Sequence, residues 1–458
     1  MKPSLHIHPL PDTGSAATLF ARLQHLPWAM LLESMGPLGQ DNRFDIITAD
    51  PLATLATEGE LTRLCQAGEE QHLSGDPLAL LAETQRRLLG ETQACDHDLP
   101  FIGGALGLFG YDLGRRFERL PVQAQADVAI PDMAVGLYDW ALIHDKEQGG
   151  WQLVHWGHAP GLARRLAWWQ AQGEVAPRAF RLIGPWQSNM SREQYADKFA
   201  RIQAYLAAGD CYQINLTQRF QAPYQGDEWA AYLRLRAANG APFSAFLRLP
   251  GSAVLSLSPE RFLLLDGRHI ETKPIKGTRP RAADPRQDEA RARELASADK
   301  DRSENLMIVD LLRNDIGRVS RPGTVSVPQL FAVESFPAVH HLVSTIHGEL
   351  DAPWQGVDLL RACFPGGSIT GAPKIRAMAI IEELEPHRRN GYCGSIGYLS
   401  QHGRMDTSIC IRTLLAARGQ LYCWAGGGII ADSRVEEEYQ ETFDKLARIL
   451  PLLENEHP

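Results

Sequence analysis

The spacing of apolar residues along the chain predicts helices and strands that follow one another closely. Residues 191–194, Ser-Arg-Glu-Gln, fit a capping box at the start of a helix. Apolar side chains then recur at helical spacing, at Tyr195, Phe199, Ile202 and Leu206. Residues 212–220 instead alternate between apolar and polar side chains, which is typical of a strand.

A β-hairpin is predicted between residues 261 and 273. Asp266-Gly267 is a strong signal for a two-residue turn, with an apolar run before it and alternating residues after it. With this turn, Glu260 faces Lys273 across the hairpin. Glu260 and Lys276 are therefore expected to emerge at the same end of it. An exposed Glu–Lys pair is most often a solvated ion pair, so the hairpin alone assigns no function.

The strands come in hairpins rather than in strict strand–helix–strand alternation. The glycine-dense run at residues 103–110 suits close-packed strands better than a helix. Irregular sequence around Gly184-Pro185 divides the chain into an N-terminal region, 1–184, and a C-terminal region, 185–458. The pattern predicts an α+β fold with large antiparallel sheets.

The C-terminal segment predicts an amphipathic helix. Residues 433–436 fit a second capping box, and an apolar stripe runs through Val435, Tyr439, Phe443, Leu446 and Leu450. Glu438, Glu441 and Lys445 share another face at spacings of three and four. From spacing alone, Glu441 and Lys445 are an ordinary pair on a helix surface.

Composition narrows the classes of function. The 458 residues are 44% hydrophobic and 22% charged, as in globular proteins, and the net charge of -9 argues against a nucleic-acid partner. No stretch approaches the roughly 20 apolar residues of a membrane span. Seven scattered cysteines without a C-x-x-C pair predict free thiols in a reducing, cytoplasmic compartment. An acidic chain that binds an anion needs a local cationic pocket or a metal.

Five motifs resemble the family of chorismate-utilising enzymes, and among them aminodeoxychorismate synthase component I. They are SPERF at 258–262, PIKGTR at 274–279, DLLRND at 310–315, GGSITGAPK at 366–374 and GGGI at 426–429. The resemblance covers nearly the whole chain in order. It implies two large antiparallel sheets packed face to face with helices outside, with strands from both regions of the chain.

The resemblance also implies a reaction. Chorismate and ammonia would give 4-amino-4-deoxychorismate, for p-aminobenzoate and folate biosynthesis. Lys276 would attack C2 of the ring as a neutral amine while Glu260, as general acid–base, protonates the leaving C4 hydroxyl. His341 matches an active-site histidine of the family, with a structural histidine as the rival interpretation.

Ligands of the substrate and of Mg2+ follow from the same resemblance. Glu304 and Glu441 match the two Mg2+ ligands. The matched substrate contacts are Thr278, Ser368, Tyr398, Arg412, Gly426, Gly427, Gly428 and Lys445. The glycine run could otherwise be a simple turn.

A tryptophan pocket is implied in the N-terminal region, although the same residues could merely pack. Its matched residues are Ser34, Asp41, Asn42, Arg43, Phe44, Pro242, Phe243 and Ser244. Bound tryptophan is a feedback inhibitor in anthranilate synthases and structural in aminodeoxychorismate enzymes, and the sequence leaves both roles open.

Three alternatives are weighed against this hypothesis. Anthranilate synthase component I and isochorismate synthase are similar enzymes, but anthranilate synthases have a small apolar residue where Lys276 stands. A catalytically silent, tryptophan-binding regulatory subunit would not need the acidic and basic site residues. No cysteine stands in a Gly-x-Cys-x-Gly nucleophile turn, so ammonia is expected from a glutamine amidotransferase subunit in a heterodimer.

Overall fold

The computed structural model describes residues 3–11, 14–36, 42–95, 97–336 and 339–454. Its strands are β1 Ser4–Leu10, β2 Met30–Glu33, β3 Phe44–Thr48, β4 Ala53–Glu58, β5 Leu61–Gln66, β6 Glu69–Ser74, β7 Gly104–Phe109, β8 Met133–Tyr138, β9 Trp140–Asp145, β10 Trp151–Gly157, β11 Arg181–Leu182, β12 Gln187–Ser188, β13 Gln213–Gln225, β14 Phe243–Leu249, β15 Ser252–Ser258, β16 Arg261–Asp266, β17 His269–Thr272, β18 Ile275–Pro280, β19 Ser326–Ser335, β20 Val339–Glu349, β21 Gly371–Ala372, β22 Ser395–Ser400, β23 Met405–Ile409, β24 Thr413–Ala417 and β25 Gln420–Ile429. Its α-helices are α1 Ala16–Phe20, α2 Pro77–Leu89, α3 Ala159–Gln170, α4 Arg192–Ala207, α5 Glu228–Ala238, α6 Pro285–Ser297, α7 Asp299–Gly317, α8 Gly356–Cys363, α9 Lys374–Leu384, α10 Val435–Leu446 and α11 Leu450–Glu454.

The strands form two large antiparallel sheets. The first runs β1-β10-β9-β3-β2-β14-β15-β24-β25-β13-β11, and β12 and β21 also pair with β13. The second runs β18-β20-β17-β16-β23-β22-β7-β8-β4-β5-β6, and β19 also pairs with β20. Strands from both sides of residue 184 therefore lie in each sheet, and the expected α+β class is confirmed.

Three apolar clusters hold these layers together. The largest lies between the sheets and joins Leu247 and Val254 of the first sheet to Leu106 and Val135 of the second. A second cluster covers the outer face of the first sheet with α1, α3, α5 and α11. The third packs α4 and α9 against β13 and β25. The two sheets are thus packed face to face, and each buries the side that faces the other.

The local predictions have mixed outcomes. The first capping box is present, since Ser191 and Gln194 make both reciprocal hydrogen bonds at the start of α4. The glycine-dense run forms β7, where a Cβ at Gly107 would lie 2.1 Å from the Ala134 carbonyl oxygen. The second capping box is wrong, because the Ser433 hydroxyl donates to Glu438 at 2.6 Å instead. That side chain therefore positions an acid rather than capping α10.

The hairpin exists, but the predicted register is wrong. Asp266 pairs with His269, so the two-residue loop is Gly267-Arg268, and Gly267 has a φ of 60° that favours glycine. The partner of each residue therefore moves by two positions on the return strand, since Leu265 pairs with Ile270. None of the described helices is long and apolar enough to cross a membrane.

Candidate active site

The end of the hairpin brings Glu260 and Lys276 together. Glu260 is buried just before β16, and its carboxylate accepts hydrogen bonds from the Ser368 hydroxyl and the Ile275 backbone N–H. Burial raises the pKa of Glu260 to about 7, although Ser368 and the nearby Lys276 ammonium act in the opposite direction. A carboxyl group with this pKa is partly protonated near neutral pH and can act as a general acid.

Two helices bring three acids close to Lys276. Glu304 lies on α7, and Glu438 and Glu441 lie on α10. Burial raises the pKa of Glu304 to about 7, opposed by the Lys276 charge and reinforced by the two acids of α10. The Lys276 side chain is therefore close enough to interact electrostatically with both Glu260 and the acidic cluster.

Lysine side chains are the counter-ions of this cluster. Lys300 pairs with Glu438 at 3.1 Å, and Lys445 pairs with Glu441 at 2.6 Å. Burial would raise the pKa of Glu441, but the Lys445 ion pair outweighs it and brings this pKa below its usual range. Two negative charges of the cluster are thus already compensated within the chain.

Glu438 is the member of the cluster that sequence reasoning did not assign to a site. Its Oε1 accepts from Ser433, while its Oε2 is buried without a hydrogen-bond partner among the described residues. A buried carboxylate oxygen without a partner is costly unless a cation or a donor satisfies it. The signal available in the sequence was the spacing of three between Glu438 and Glu441.

The donor chemistry of the cluster fits Mg2+. This ion prefers oxygen ligands and is usually held by one or two carboxylates while keeping several waters. The partnerless oxygen of Glu438 could bind a cation, and so could the buried Glu304 carboxylate, whose ionised form a nearby positive charge would stabilise. In the described part of the chain, the ligand oxygens of the three acids do not all lie within 4.8 Å of one another. An ion there would compete with Lys300 and Lys445 for the carboxylates.

The triple glycine is part of a strand and not a turn. Gly426, Gly427 and Gly428 lie in β25 and pair with β13. A Cβ at Gly427 would lie 2.9 Å from Glu438 Oε2 and 3.3 Å from Glu441 Oε1, so its absence lets α10 approach the strand. The Gly426 carbonyl accepts from Lys445 at 2.7 Å. The run therefore forms one wall of the acidic cluster.

His341 and Arg412 form a further group of polar side chains near each other. Thr278 on β18 pairs with His341 on β20, and their side chains are hydrogen-bonded at 2.9 Å. Burial and the nearby Arg412 charge lower the pKa of His341 to about 3, so the imidazole is neutral. No hydrogen bond or ion pair engages the Arg412 guanidinium within the described ranges. Such a group is suited to a bidentate carboxylate.

Tyr398 lies elsewhere. Its buried side chain lines a pocket between the sheets, together with six of the residues expected to bind tryptophan, namely Ser34, Arg43, Phe44, Pro242, Phe243 and Ser244. The structure thus places Tyr398 in the wall of this pocket. Asn42 is buried next to it, and Asp41 lies outside the described residues.

Two arginine side chains that line this pocket, Arg43 and Arg261, each lie against an aromatic ring. Arg43 is fixed by Asp145 at 2.8 Å, with its guanidinium 4.5 Å from the centre of the Phe44 ring. The Arg261 guanidinium lies 5.2 Å from the centre of the Phe243 ring. Aromatic faces beside hydrogen-bonding groups suit a ligand that has both an aromatic and a charged end.

Comparison with known proteins agrees with the fold and the motifs. The family model described as chorismate binding enzyme matches residues 35–451. Aminodeoxychorismate synthase component 1 of Salmonella typhimurium is 59% identical over 441 residues, 96% of each chain. The protein of the same name from Escherichia coli K12 is 58% identical, again over 96% of each chain. The crystal structure of anthranilate synthase component I from Streptococcus pneumoniae superposes with a TM-score of 0.77 at 29% identity, covering 96% of this chain and 98% of that one.

The chain therefore belongs to the family of chorismate binding enzymes. Both relatives at 58–59% identity carry the name of the aminodeoxychorismate synthase branch. This confirms the resemblance read from the motifs around Glu260 and Lys276.

Proposed function

We propose that this chain is the chorismate-binding component of aminodeoxychorismate synthase, which converts chorismate and ammonia to 4-amino-4-deoxychorismate. The observation that supports this best is the proximity of Lys276, a potential nucleophile, to both the Glu260 carboxyl group and the acidic cluster. The names of its relatives at 58–59% identity point to the same reaction.

The proposed chemistry uses Lys276 twice. Its neutral amine bonds to C2 of chorismate as the C4–O bond breaks, and Glu260 protonates the departing hydroxyl so that water leaves. The proton lost from the lysine nitrogen returns to Glu260. Ammonia then bonds to C4 as the C2–N bond breaks. Glu260 gives its proton to the departing lysine nitrogen, which is released as the amine, and takes one proton from the new C4 nitrogen.

Binding of the dianionic substrate is assigned to the groups around this pair. Arg412 would hold one carboxylate bidentately, and Ser368, already bonded to Glu260, would lie beside the reacting atoms. Glu304, Glu441 and Glu438 would hold Mg2+. When bound, this ion supplies positive charge that neutralises a substrate carboxylate.

The product of the isolated chain tests this function. With chorismate, Mg2+ and ammonium chloride, the chain is expected to form 4-amino-4-deoxychorismate, identified by chromatography and mass spectrometry. Anthranilate would support the anthranilate synthase alternative, and isochorismate would support addition of water. Loss of all turnover with intact chorismate binding would favour a silent regulatory subunit.

We also propose a heterodimer with a glutamine amidotransferase, because the seven cysteines lack the nucleophile turn of that activity. The isolated chain should use ammonium salts, increasingly as pH rises and more ammonia is neutral, and should not use glutamine. Adding an amidotransferase subunit should make glutamine a substrate. Glutamine-dependent product from the rigorously purified chain alone would contradict the proposal.

Replacing Glu441 by Gln is expected to weaken Mg2+-dependent activity by at least about 10–100-fold, the loss caused even by changes around metal ligands. The amide removes one negative charge beside Lys445. Activity measured against Mg2+ concentration should show the shift. The matched control is Glu437→Gln on the exposed side of α10, which should titrate like the unaltered protein. Equal Mg2+ dependence in both variants would exclude Glu441 as a ligand.

The pocket lined by Phe44 and Phe243 is proposed to bind tryptophan in a structural role. Tryptophan at 100 times its Kd should add about 2.7 kcal/mol to the free energy of unfolding and raise the thermal midpoint. Mass spectrometry of the denatured protein detects ligand retained through purification. Phe243→Ala should lose the effect, whereas Tyr212→Ala, an exposed aromatic outside the pocket, should keep it. Potent inhibition by tryptophan would instead indicate the feedback role.

We propose a cytoplasmic location because the cysteines form no disulfide bonds. All seven are free, and five of them are buried. Free thiols are typical of proteins in a reducing compartment.

A further inference from the structure

Two His-x-Glu segments pair with each other in the second sheet, away from the catalytic groups. In the register of β17 and β20, His269 lies opposite Glu349 and Glu271 lies opposite His347. Residues two apart on a strand project from the same face, so all four side chains share one face. Sequence analysis had singled out neither segment.

Three of these side chains converge. Nitrogens of His269 and His347 and an oxygen of Glu271 all lie within 4.8 Å of one another. His347 Nε2 is 3.2 Å from Glu271 Oε2, and the two imidazole rings meet edge to face with centroids 4.5 Å apart. Around a tetrahedral zinc ion with bonds of about 2.0–2.1 Å, donor atoms are about 3.4 Å apart. Small side-chain rotations would therefore bring the three donors into coordination.

The carboxylate of this group is already oriented. The second oxygen of Glu271 accepts from Arg261 at 3.1 Å, and Arg261 also bonds Asp406 at 3.1 Å. A hydrogen bond that fixes a ligand side chain is a usual feature of metal sites. Arg261 shares its positive charge between Asp406 and Glu271, so it does not fully neutralise Glu271, which can still attract a cation. Glu349 is paired with Arg321 at 2.7 Å and is not part of the trio.

The trio is separate from the proposed Mg2+ cluster in both place and chemistry. His341, beside the catalytic groups, is six residues from His347 along β20, which corresponds to about 20 Å of strand. Imidazole is a poor ligand for Mg2+ but suits Zn2+ and its neighbours in the transition series. The two sites should therefore select different ions.

We propose that His269, Glu271 and His347 form a site for one divalent transition-metal ion of the zinc class. Two imidazoles and one carboxylate supply three ligands, which leaves a fourth position for water or an outside ligand. The bound ion joins β17 to β20 and replaces the proton between His347 and Glu271. Its binding therefore stabilises the folded chain without taking part in the reaction on chorismate.

Isothermal titration calorimetry with Zn2+ as the titrant tests this site, in a neutral buffer that contains millimolar Mg2+. The full chain should bind one Zn2+, and zinc should raise its thermal midpoint by mass action. The exposed His269 is changed first, to Ala, and His347→Gln is the second variant, so that one misfolded protein does not decide the result. Each variant should weaken Zn2+ binding at least about tenfold.

Two control variants separate this site from other sources of affinity. His72→Ala removes an exposed histidine that contacts Glu70 at 3.1 Å without a second imidazole, and it should bind zinc like the unaltered chain. Glu441→Gln should also bind it unchanged. The proposal is overturned if the chain binds no zinc, if His269→Ala and His347→Gln bind it normally, or if Glu441→Gln abolishes binding.

Discussion

Replacing Glu260 by Gln is expected to lower kcat by on the order of 10^2–10^4-fold, the usual contribution of general acid–base catalysis. The amide keeps the shape and the hydrogen-bonding capacity of the side chain, but it cannot deliver a proton to the C4 hydroxyl. Steady-state turnover of chorismate with ammonium and Mg2+ measures the loss. Binding of chorismate should change far less, which a fall in kcat at similar KM would show.

The pH dependence identifies the same group. Because burial raises the pKa of Glu260 to about 7, its carboxyl group is protonated below that pH and loses the proton above it. The rate of formation of the lysine adduct, measured in single turnover without ammonia, should therefore fall as pH rises through about 7. The Gln variant should lack this limb. In Ser368→Ala the limb should move to higher pH, because the lost hydrogen bond had held this pKa down. A limb that persists in Glu260→Gln belongs to another group.

How far the sequence predicted this site depended on the range of the interactions involved. The hairpin turn is a local signal, and it placed Glu260 and Lys276 at one end of the ladder. The register of the hairpin could not be predicted from local sequence, because Asp266-Gly267 and Gly267-Arg268 are both plausible loops. The pairing of the hairpin strands with β20 and β23 decides between them. The resulting two-residue shift of the return strand brings the Ile275 N–H to Glu260.

Contacts that depend on burial and on the packing of other elements could not be predicted from the local sequence pattern. Ser433 has the sequence of a cap, yet Glu438 recruits its hydroxyl because a buried carboxylate needs a donor more than a helix end exposed to water does. The sequence suggested that the glycine run forms a turn or contacts the substrate. The structure shows a further role, because the glycines let α10 approach the strand closely. Tyr398 was placed by resemblance alone, and the packing of the two sheets puts it in the other pocket.

Incubating the chain with chorismate in the absence of ammonia is expected to add the mass of chorismate minus water to the protein. The adduct accumulates because the lysine nitrogen has displaced the hydroxyl and no second nucleophile releases it. Intact-protein mass spectrometry detects the added mass, and peptide mapping should locate it on Lys276. Ammonium chloride added afterwards should remove it as product forms.

The Lys276→Ala variant distinguishes a covalent role from a merely electrostatic one. It should form no adduct, and turnover should slow without vanishing, because ammonia can still attack the bound substrate directly while Glu260 protonates the leaving group. Lys273→Ala is the matched control: this lysine lies three residues away on the same segment and pairs with Glu334 at 3.0 Å. That variant should form the adduct normally. An adduct of the same mass on Lys276→Ala would show that another nucleophile is used, and the geometry at the hairpin end would then serve only to bind the substrate.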